Sequence, residues 1–333
     1  MPPLISIVIT AHNRKKYILD SVKSVLNQDA NRNDYEIIVV KNFIDEEIDA
    51  FLEKEGVISI YTEEQPFGVK LAIGIDKSKG EVISFLDDDD EFSANKVSRL
   101  IEVFRDQRIV YHHSSIVAMD ESGNAHRSGL SKNIPNTIVK EKFEPHDLKL
   151  VMKYKLDWYM SAITCRASLL KKHSSFIRKA SASLDKLIFL LSTDSGGSLY
   201  FDSQLLTRYR IHESLTNKIT GREDFLKARR DFYKRSLNNL IDASSYFKKN
   251  VTVDLINWEI MHARLLVYFF SDDVKDLISA ASIIKIILLS FMKRLNVIAY
   301  WSFLDLIRKI SPEILRSSFY KRSNRKMNVS IPR

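Results

Sequence analysis

A single cysteine, Cys165, stands in a chain of 333 residues, which excludes an intrachain disulfide and fits a reducing compartment, with a buried structural thiol as its ordinary role. No stretch of about 18 uncharged apolar residues occurs, so a bilayer-spanning helix is not expected. The apolar run from Leu277 to Ile310 is broken by Lys285, Lys293 and Arg294. A signal peptide is not expected either, because the first apolar residues pass directly into a strand pattern. A glycine-rich phosphate loop is missing after that strand, where His12, Asn13 and Arg14 stand instead, and this disfavours a nucleotidyltransferase on a similar α/β core. Internal repeats and low-complexity tracts are also missing.

What the chain does have is four consecutive carboxylates, Asp87, Asp88, Asp89 and Asp90, directly after the apolar run Val82–Leu86. A charge run is commonly a solvated face, and an acidic turn that keeps a strand end soluble is one reading of it. The other is a cation site. In an extended chain Asp87 and Asp89 share a face with Cα atoms roughly 7 Å apart, close enough to converge on one divalent ion. Without a cation the two would repel, and one would tend to bind a proton. Mg²⁺ or Mn²⁺ removes that conflict and completes its shell with water and phosphate oxygens, so a phosphorylated ligand is implied.

The upstream pattern places the tetrad. Leu4–Thr10, Tyr35–Val40, Val57–Tyr61 and Val82–Leu86 read as strands. They alternate with helical spacing around Ile18, Val22, Val25 and Leu26, over Asp45–Lys54, and over Val69–Ser78 with a stop at Gly80. Such alternation predicts an α/β protein whose parallel strands carry helices on both faces, with ligands bound beyond the carboxyl ends of the strands. The tetrad lies at one such end. Further on, Lys96–Phe104 reads as an amphipathic helix, Ile109–Met119 as strand, and Asp120–Asn124 as a hairpin turn. Adjacent His112 and His113 would point to opposite strand faces, which disfavours a shared metal. Asn133–Pro145 shows no periodicity and is expected to be a mobile loop near an acceptor.

The segments ISIVITAHNRKKYILDSVKSVLNQ, EIIVV and KGEVISFLDDDDEF, followed by LTRYRIHES, resemble in content and order the blocks of family 2 glycosyltransferases. The resemblance covers residues 4 to about 216. It implies a GT-A fold, a Rossmann-like mixed sheet with helices on both faces, followed here by a C-terminal α-helical region. It also implies bacterial or archaeal kin and inverting, metal-dependent transfer of sugar from a nucleotide diphosphate, with a UDP-sugar as the expected donor and Mg²⁺ or Mn²⁺ as cofactor. On this resemblance Thr10, Ala11, His12, Asn13 and Arg14 contact the nucleoside, Asp87 and Asp89 form the Asp-x-Asp metal motif, Asp88 faces the ribose or nucleotide, and Asp185 is the general base. His212 completes the metal or diphosphate shell, and Arg210 or Arg208 contacts the diphosphate. Two departures stand out. Where relatives carry Asp-Asp-Gly-Ser after the second strand, this chain has Lys41, Asn42, Phe43 and Ile44, so Asn42 would read the base through its amide oxygen. Where relatives carry Ala-Arg-Asn, Lys70 would supply the missing cation. Asp157 and Trp158 precede the base, and the indole is read as core packing more readily than as a platform for sugar.

The expected division is a catalytic domain over residues 1–216 and a helical region over 217–333. Phe225–Phe247 and Val253–Phe270 read as helices. The basic, aromatic-bearing tail, with Tyr300, Trp301, Phe303, Arg316, Lys321, Arg322, Arg325, Lys326 and Arg333, fits an anionic membrane surface or homo-oligomerisation. A glycan or lipid-linked acceptor at the cytoplasmic membrane face follows from that tail. The net charge of +9 admits a nucleic-acid-binding protein as the competing class, but an acidic tetrad would repel phosphates unless a cation were present, and no nucleic-acid partner is expected. A non-catalytic nucleotide-binding scaffold on the same fold is the other alternative.

Overall fold

A computed structural model of the protein describes residues 4–126, 133–212 and 222–270. Its strands are β1 (Ile5–Ala11), β2 (Tyr35–Lys41), β3 (Ile58–Tyr61), β4 (Val82–Asp87), β5 (Glu91–Phe92), β6 (Ile109–Met119), β7 (Ala125–His126), β8 (Ile138–Lys140), β9 (Ile163–Arg166) and β10 (Ser198–Arg210). Its helices are α1 (Ile18–Leu26), α2 (Glu46–Lys54), α3 (Phe67–Lys77), α4 (Lys96–Val103), α5 (Leu148–Tyr154), α6 (Ala167–Lys172), α7 (Ser174–Lys179), α8 (Leu184–Ser195), α9 (Arg222–Ser244) and α10 (Asn250–Phe270).

Every residue of β1 is buried, as its unbroken apolar run requires of a strand covered on both faces. It pairs in parallel with β2 on one side and β4 on the other, with Thr10 opposite both Val40 and Asp87. The carboxyl ends of the three strands are therefore level, and the loops after them share one rim. Ile18, Val22 and Val25 on α1 are fully buried and pack with β1 and β2 into one apolar cluster. Each such aliphatic side chain contributes about 1.5–3 kcal/mol when removed from water. Asp45 caps α2, its Oδ1 accepting from the Ile48 amide at 3.1 Å. Gly68 in α3 lies where a Cβ would meet the carbonyl oxygens of Ala180 and Ile177 at 2.2 and 2.4 Å. Only glycine lets that backbone come so close.

The sheet order is β3-β2-β1-β4-β9-β6-β10-β5, and it is mixed. The expected helical alternation ends at β4. Beyond it, β9 lies antiparallel between β4 and β6, with Cys165 opposite Ile83 on one side and Tyr111 on the other. Strand β10 runs parallel to β6 with several register shifts. The segment expected as a mobile loop over residues 133–145 contains β8, which pairs antiparallel with Leu199–Phe201. Ile134 and Phe143 anchor it by burying their side chains. A three-residue strand is too short to show a period, so pattern alone missed it.

The chain divides into two compact units. Among the described residues the first comprises 4–126, 133–143 and 150–210, and the second comprises 144–149, 211–212 and 222–270. In the second unit α9 and α10 pack together, with the Phe270 ring stacked on Tyr233 at 5.6 Å and edge-on to Phe225 at 6.2 Å. The boundary expected at residue 216 and the whole basic tail lie outside the described residues. Among the described residues no helix is long and apolar enough to cross a membrane.

Candidate active site

Strand β4 ends at Asp87, and the chain turns there, with the Asp90 amide donating to the Asp87 carbonyl at 3.2 Å. The turn, not strand alternation, brings the acids together. Ligand oxygens of Asp87, Asp89 and Asp90 lie within 4.8 Å of one another. Asp90 was not expected in this group, and it is almost wholly buried. Its oxygens accept from Ser161 Oγ at 2.7 Å and from the Arg210 amide at 2.9 Å. Beneath it, fully buried Lys96 donates to the Ser161 carbonyl at 2.6 Å and to Thr207 Oγ1 at 2.9 Å. Burial pushes the Lys96 pKa well down and that of Asp90 well up. The floor of the site is thus a buried polar network that holds the turn in place.

The upper carboxylates are strained electrostatically. Burial, then the fields of Asp89 and Asp88, push Asp87 up to about 8 against the opposing field of Arg14. Asp88 rises to about 6 through burial, although Arg14 bonds it. Arg14 Nε donates to Asp88 Oδ2 at 3.1 Å, and its Nη2 contacts Asp88 Oδ1 and, at 2.7 Å, Asp89 Oδ2. Burial works against the charge on Arg14, but the bond to Asp88 and the surrounding carboxylates outweigh it and raise its pKa. Hard oxygen donors set this close, with proton affinities raised by burial and by mutual repulsion, fit Mg²⁺ or Mn²⁺.

The loop after β1 reaches its neighbours through side chains. Thr10 and Ala11 are buried at the end of β1, so the exposed part of the expected nucleoside segment begins at His12. Asn13 has a left-handed backbone, φ 53°, a conformation asparagine tolerates. Its amide donates to Asn42 Oδ1 at 2.8 Å, and Asn42 Nδ2 donates to Asn13 Oδ1 at 2.8 Å. Asn42 therefore stands beside the loop after β1, with its amide orientation fixed by a backbone N–H that can only donate. Lys70 is fully buried and bonds the carbonyls of Glu64 at 2.7 Å and Gln65 at 3.0 Å, with His12 Nδ1 3.1 Å away. Rather than presenting an open cation, it ties the β3–α3 loop to His12.

Arg210, expected on the diphosphate, has a buried side chain whose donors serve the protein. Nε bonds the Asp89 carbonyl at 2.9 Å, Nη1 the Glu121 carbonyl at 2.8 Å and Nη2 Glu91 Oε1 at 2.5 Å. Strand β10 carries it under the acidic turn, a placement that residue type could not reveal. Arg208 pairs with Glu91 at 2.7 Å. His212, half-buried, stands two residues past the end of β10, in the second unit.

Asp185 lies in the first turn of α8, behind Ser183, whose φ of 55° is left-handed. Burial raises its pKa to about 6; Asp157 adds to this, while Lys186 and a backbone hydrogen bond oppose it. Lys186 also pairs with Asp157 at 2.8 Å and lies 5.4 Å from the centre of the Trp158 ring. Tyr159, at φ 66°, packs edge-on to Tyr209, and burial followed by the fields of Asp185 and Asp90 takes its hydroxyl up to about 12. His112 and His113 are both buried; one contacts Asp202 at 3.4 Å and the other the Trp158 carbonyl at 2.8 Å, so they share no ligand.

Residues 6–171 match the profile of the family described as Glycosyl transferase family 2. A glycosyltransferase of Rickettsia bellii, itself uncharacterised, is 32% identical over 124 residues, which are 36% of this chain and 18% of that protein. The putative teichuronic acid biosynthesis glycosyltransferase TuaG of Bacillus subtilis is 25% identical over 128 residues, 36% of this chain and 50% of its own. The matched segments thus span only 18% to 50% of the first three curated relatives. Among solved structures, S. aureus TarS 1-349 in complex with UDP-GlcNAc superposes with TM-score 0.58 at 14% identity, covering 99% of this chain and 90% of that one. The mannosyltransferase PcManGT of Pyrobaculum calidifontis, in complex with GDP-Man and Mn²⁺, gives 0.55 at 11% identity, covering 96% and 87%. At such identities the likeness is one of fold.

Proposed function

The chain belongs to glycosyltransferase family 2 and has the GT-A fold with a helical extension, and from that premise we propose that it transfers a sugar, with inversion, from a nucleotide diphosphate to an acceptor hydroxyl. One observation carries the reading: three carboxylates converge on the rim where β1 and β4 end, and the same unit carries a further carboxylate, Asp185, whose pKa is raised to about 6. Asp87 and Asp89, supported by Asp90, would hold the divalent ion. A bound cation would offset charge growing on the leaving diphosphate.

The remaining steps belong to the chain's own residues. The Asn13–Asn42 pair and the loop held by Lys70 would receive the nucleoside, with Asn42 Oδ1 accepting from a base N–H. The N3–H of uracil meets that requirement, and the donor is proposed as a UDP-sugar. Asp185, ionised above about pH 6, would take the proton of the acceptor hydroxyl as its oxygen bonds to the anomeric carbon and the bond to the diphosphate breaks. Inversion follows from that single displacement.

Thermal unfolding of the whole chain with UDP, GDP and their sugars, each with Mn²⁺ and with EDTA, tests the donor. UDP compounds with Mn²⁺ are expected to raise the melting temperature, because a ligand that binds only the folded state stabilises it. No shift with any nucleotide would refute the reading.

The acceptor side of the proposal rests on the basic, aromatic tail: a glycan or lipid-linked hydroxyl at the cytoplasmic face of an anionic membrane. Flotation with anionic vesicles is expected to carry the whole chain upward and to fail after truncation at residue 275. Equal recovery of the two would remove the membrane from the account.

A further inference from the structure

Arg14 lies against two members of the acidic turn at once, and one of them, Asp89, belongs to the oxygen set that would hold a divalent ion. A side-chain cation thus stands where an arriving ion must bind. We propose that Arg14 is a built-in counter-cation that holds Asp89 in the ligand-free protein and gives it up to the metal, turning on Asp88 as its anchor. This rests on the reading that a divalent ion and a nucleoside diphosphate bind here.

Two observations and the balance of charge support the exchange. Asp88 is almost completely buried and takes bonds from both Nε and Nη2, so the guanidinium keeps a partner after it leaves Asp89. The Arg14 side chain is 24% exposed, which leaves it room to turn. Charge decides the direction. A divalent ion offers two charges to the converging carboxylates, whereas the guanidinium divides one between Asp88 and Asp89. An ion arriving with Arg14 in place, however, meets a like charge. A nucleoside diphosphate removes that obstacle, because its oxygens accept from the Nη2 group released from Asp89. Metal and nucleotide therefore help each other to bind, and this coupling must be reciprocal. Arg14 acts here as a positioning residue.

The test is titration of the whole chain with Mn²⁺, following free Mn²⁺ by electron paramagnetic resonance, with and without UDP or GDP. Protein-free nucleotide samples account for Mn²⁺ bound by nucleotide alone. In the native chain either nucleotide should tighten Mn²⁺ binding. Arg14→Gln should bind Mn²⁺ about tenfold more tightly than the native chain when no nucleotide is present, and should gain less from adding it. Arg14→Lys should fall between, since an ammonium keeps the charge but lacks the fork that spans two carboxylates. Lys15→Gln, which loses the pair with Asp45, a bond to the Ile44 carbonyl and a contact with the Phe43 ring, should match the native chain. Unchanged or weaker Mn²⁺ affinity in Arg14→Gln, beside a native chain that binds Mn²⁺ with nucleotide, overturns the exchange and leaves the donor reading standing. If Arg14→Gln does not fold, an unchanged affinity in Arg14→Lys overturns it equally. A native chain that binds no Mn²⁺ in any mixture removes both.

Discussion

Asp185→Asn is expected to lower the transfer rate by about a hundred- to ten-thousandfold, the usual contribution of a positioned general base, while donor binding stays near native. The carboxylate must be ionised to accept a proton. In the native enzyme the rate should therefore be level above about pH 6 and fall tenfold per unit below it, following the raised pKa of Asp185. Stability should move the other way. A carboxyl at about 6 in the folded chain and 3.8 as its ordinary value favours the protonated form in the fold, so its ionised form costs stability above pH 6. That cost shrinks as pH falls from 6 toward 4. The amide never bears the charge, so the variant should melt above the native protein at pH 8 and approach it at pH 4. Retained transfer with that same stability pattern would remove Asp185 from the chemistry.

Arg210→Met should destabilise the first unit by about 3 kcal/mol, because breaking a buried ion pair from one side leaves its partner without compensation. Glu91 keeps Arg208 as a second partner, which holds the loss to that level. Methionine fills a similar volume, so the change removes bonds more than packing. Denaturant midpoints measure it, and a change under about 0.5 kcal/mol would show that the bonds to Asp89, Glu121 and Glu91 contribute nothing. Beyond stability, the variant frees the Asp89 carbonyl from the strand beneath it. Transfer should fall more than the folded fraction does.

How much of this could be read from residues alone depended on the length and environment of each element. Strands β1, β2 and β4 are long apolar runs, and helices α1, α2 and α4 have clear periods, so each was legible to within a few residues. Strand β9 was not: Ile163–Arg166 is four residues between a helical turn and α6, and only its two neighbours in the sheet make it a strand. The site divided in the same way. The tetrad and Asp185 were visible as acids in distinctive positions. The duties of Lys70 and Arg210 were not, because a cation's type does not tell whether the fold turns it toward solvent or toward carbonyls. The part Asp90 plays, and Ser161 itself, could not be read there, because both arise only where the β4 turn meets the segment before β9.

The antiparallel insertion of β9 makes the first unit indivisible. If the chain were cut ahead of Ile163, β4 would keep one bare flank of peptide groups and β6 would lose both β9 and β10, leaving templates for other strands to join. The strands that end at the acidic turn therefore cannot be carved out as a small module, and any minimal version of this enzyme has to include the residues that close the seam.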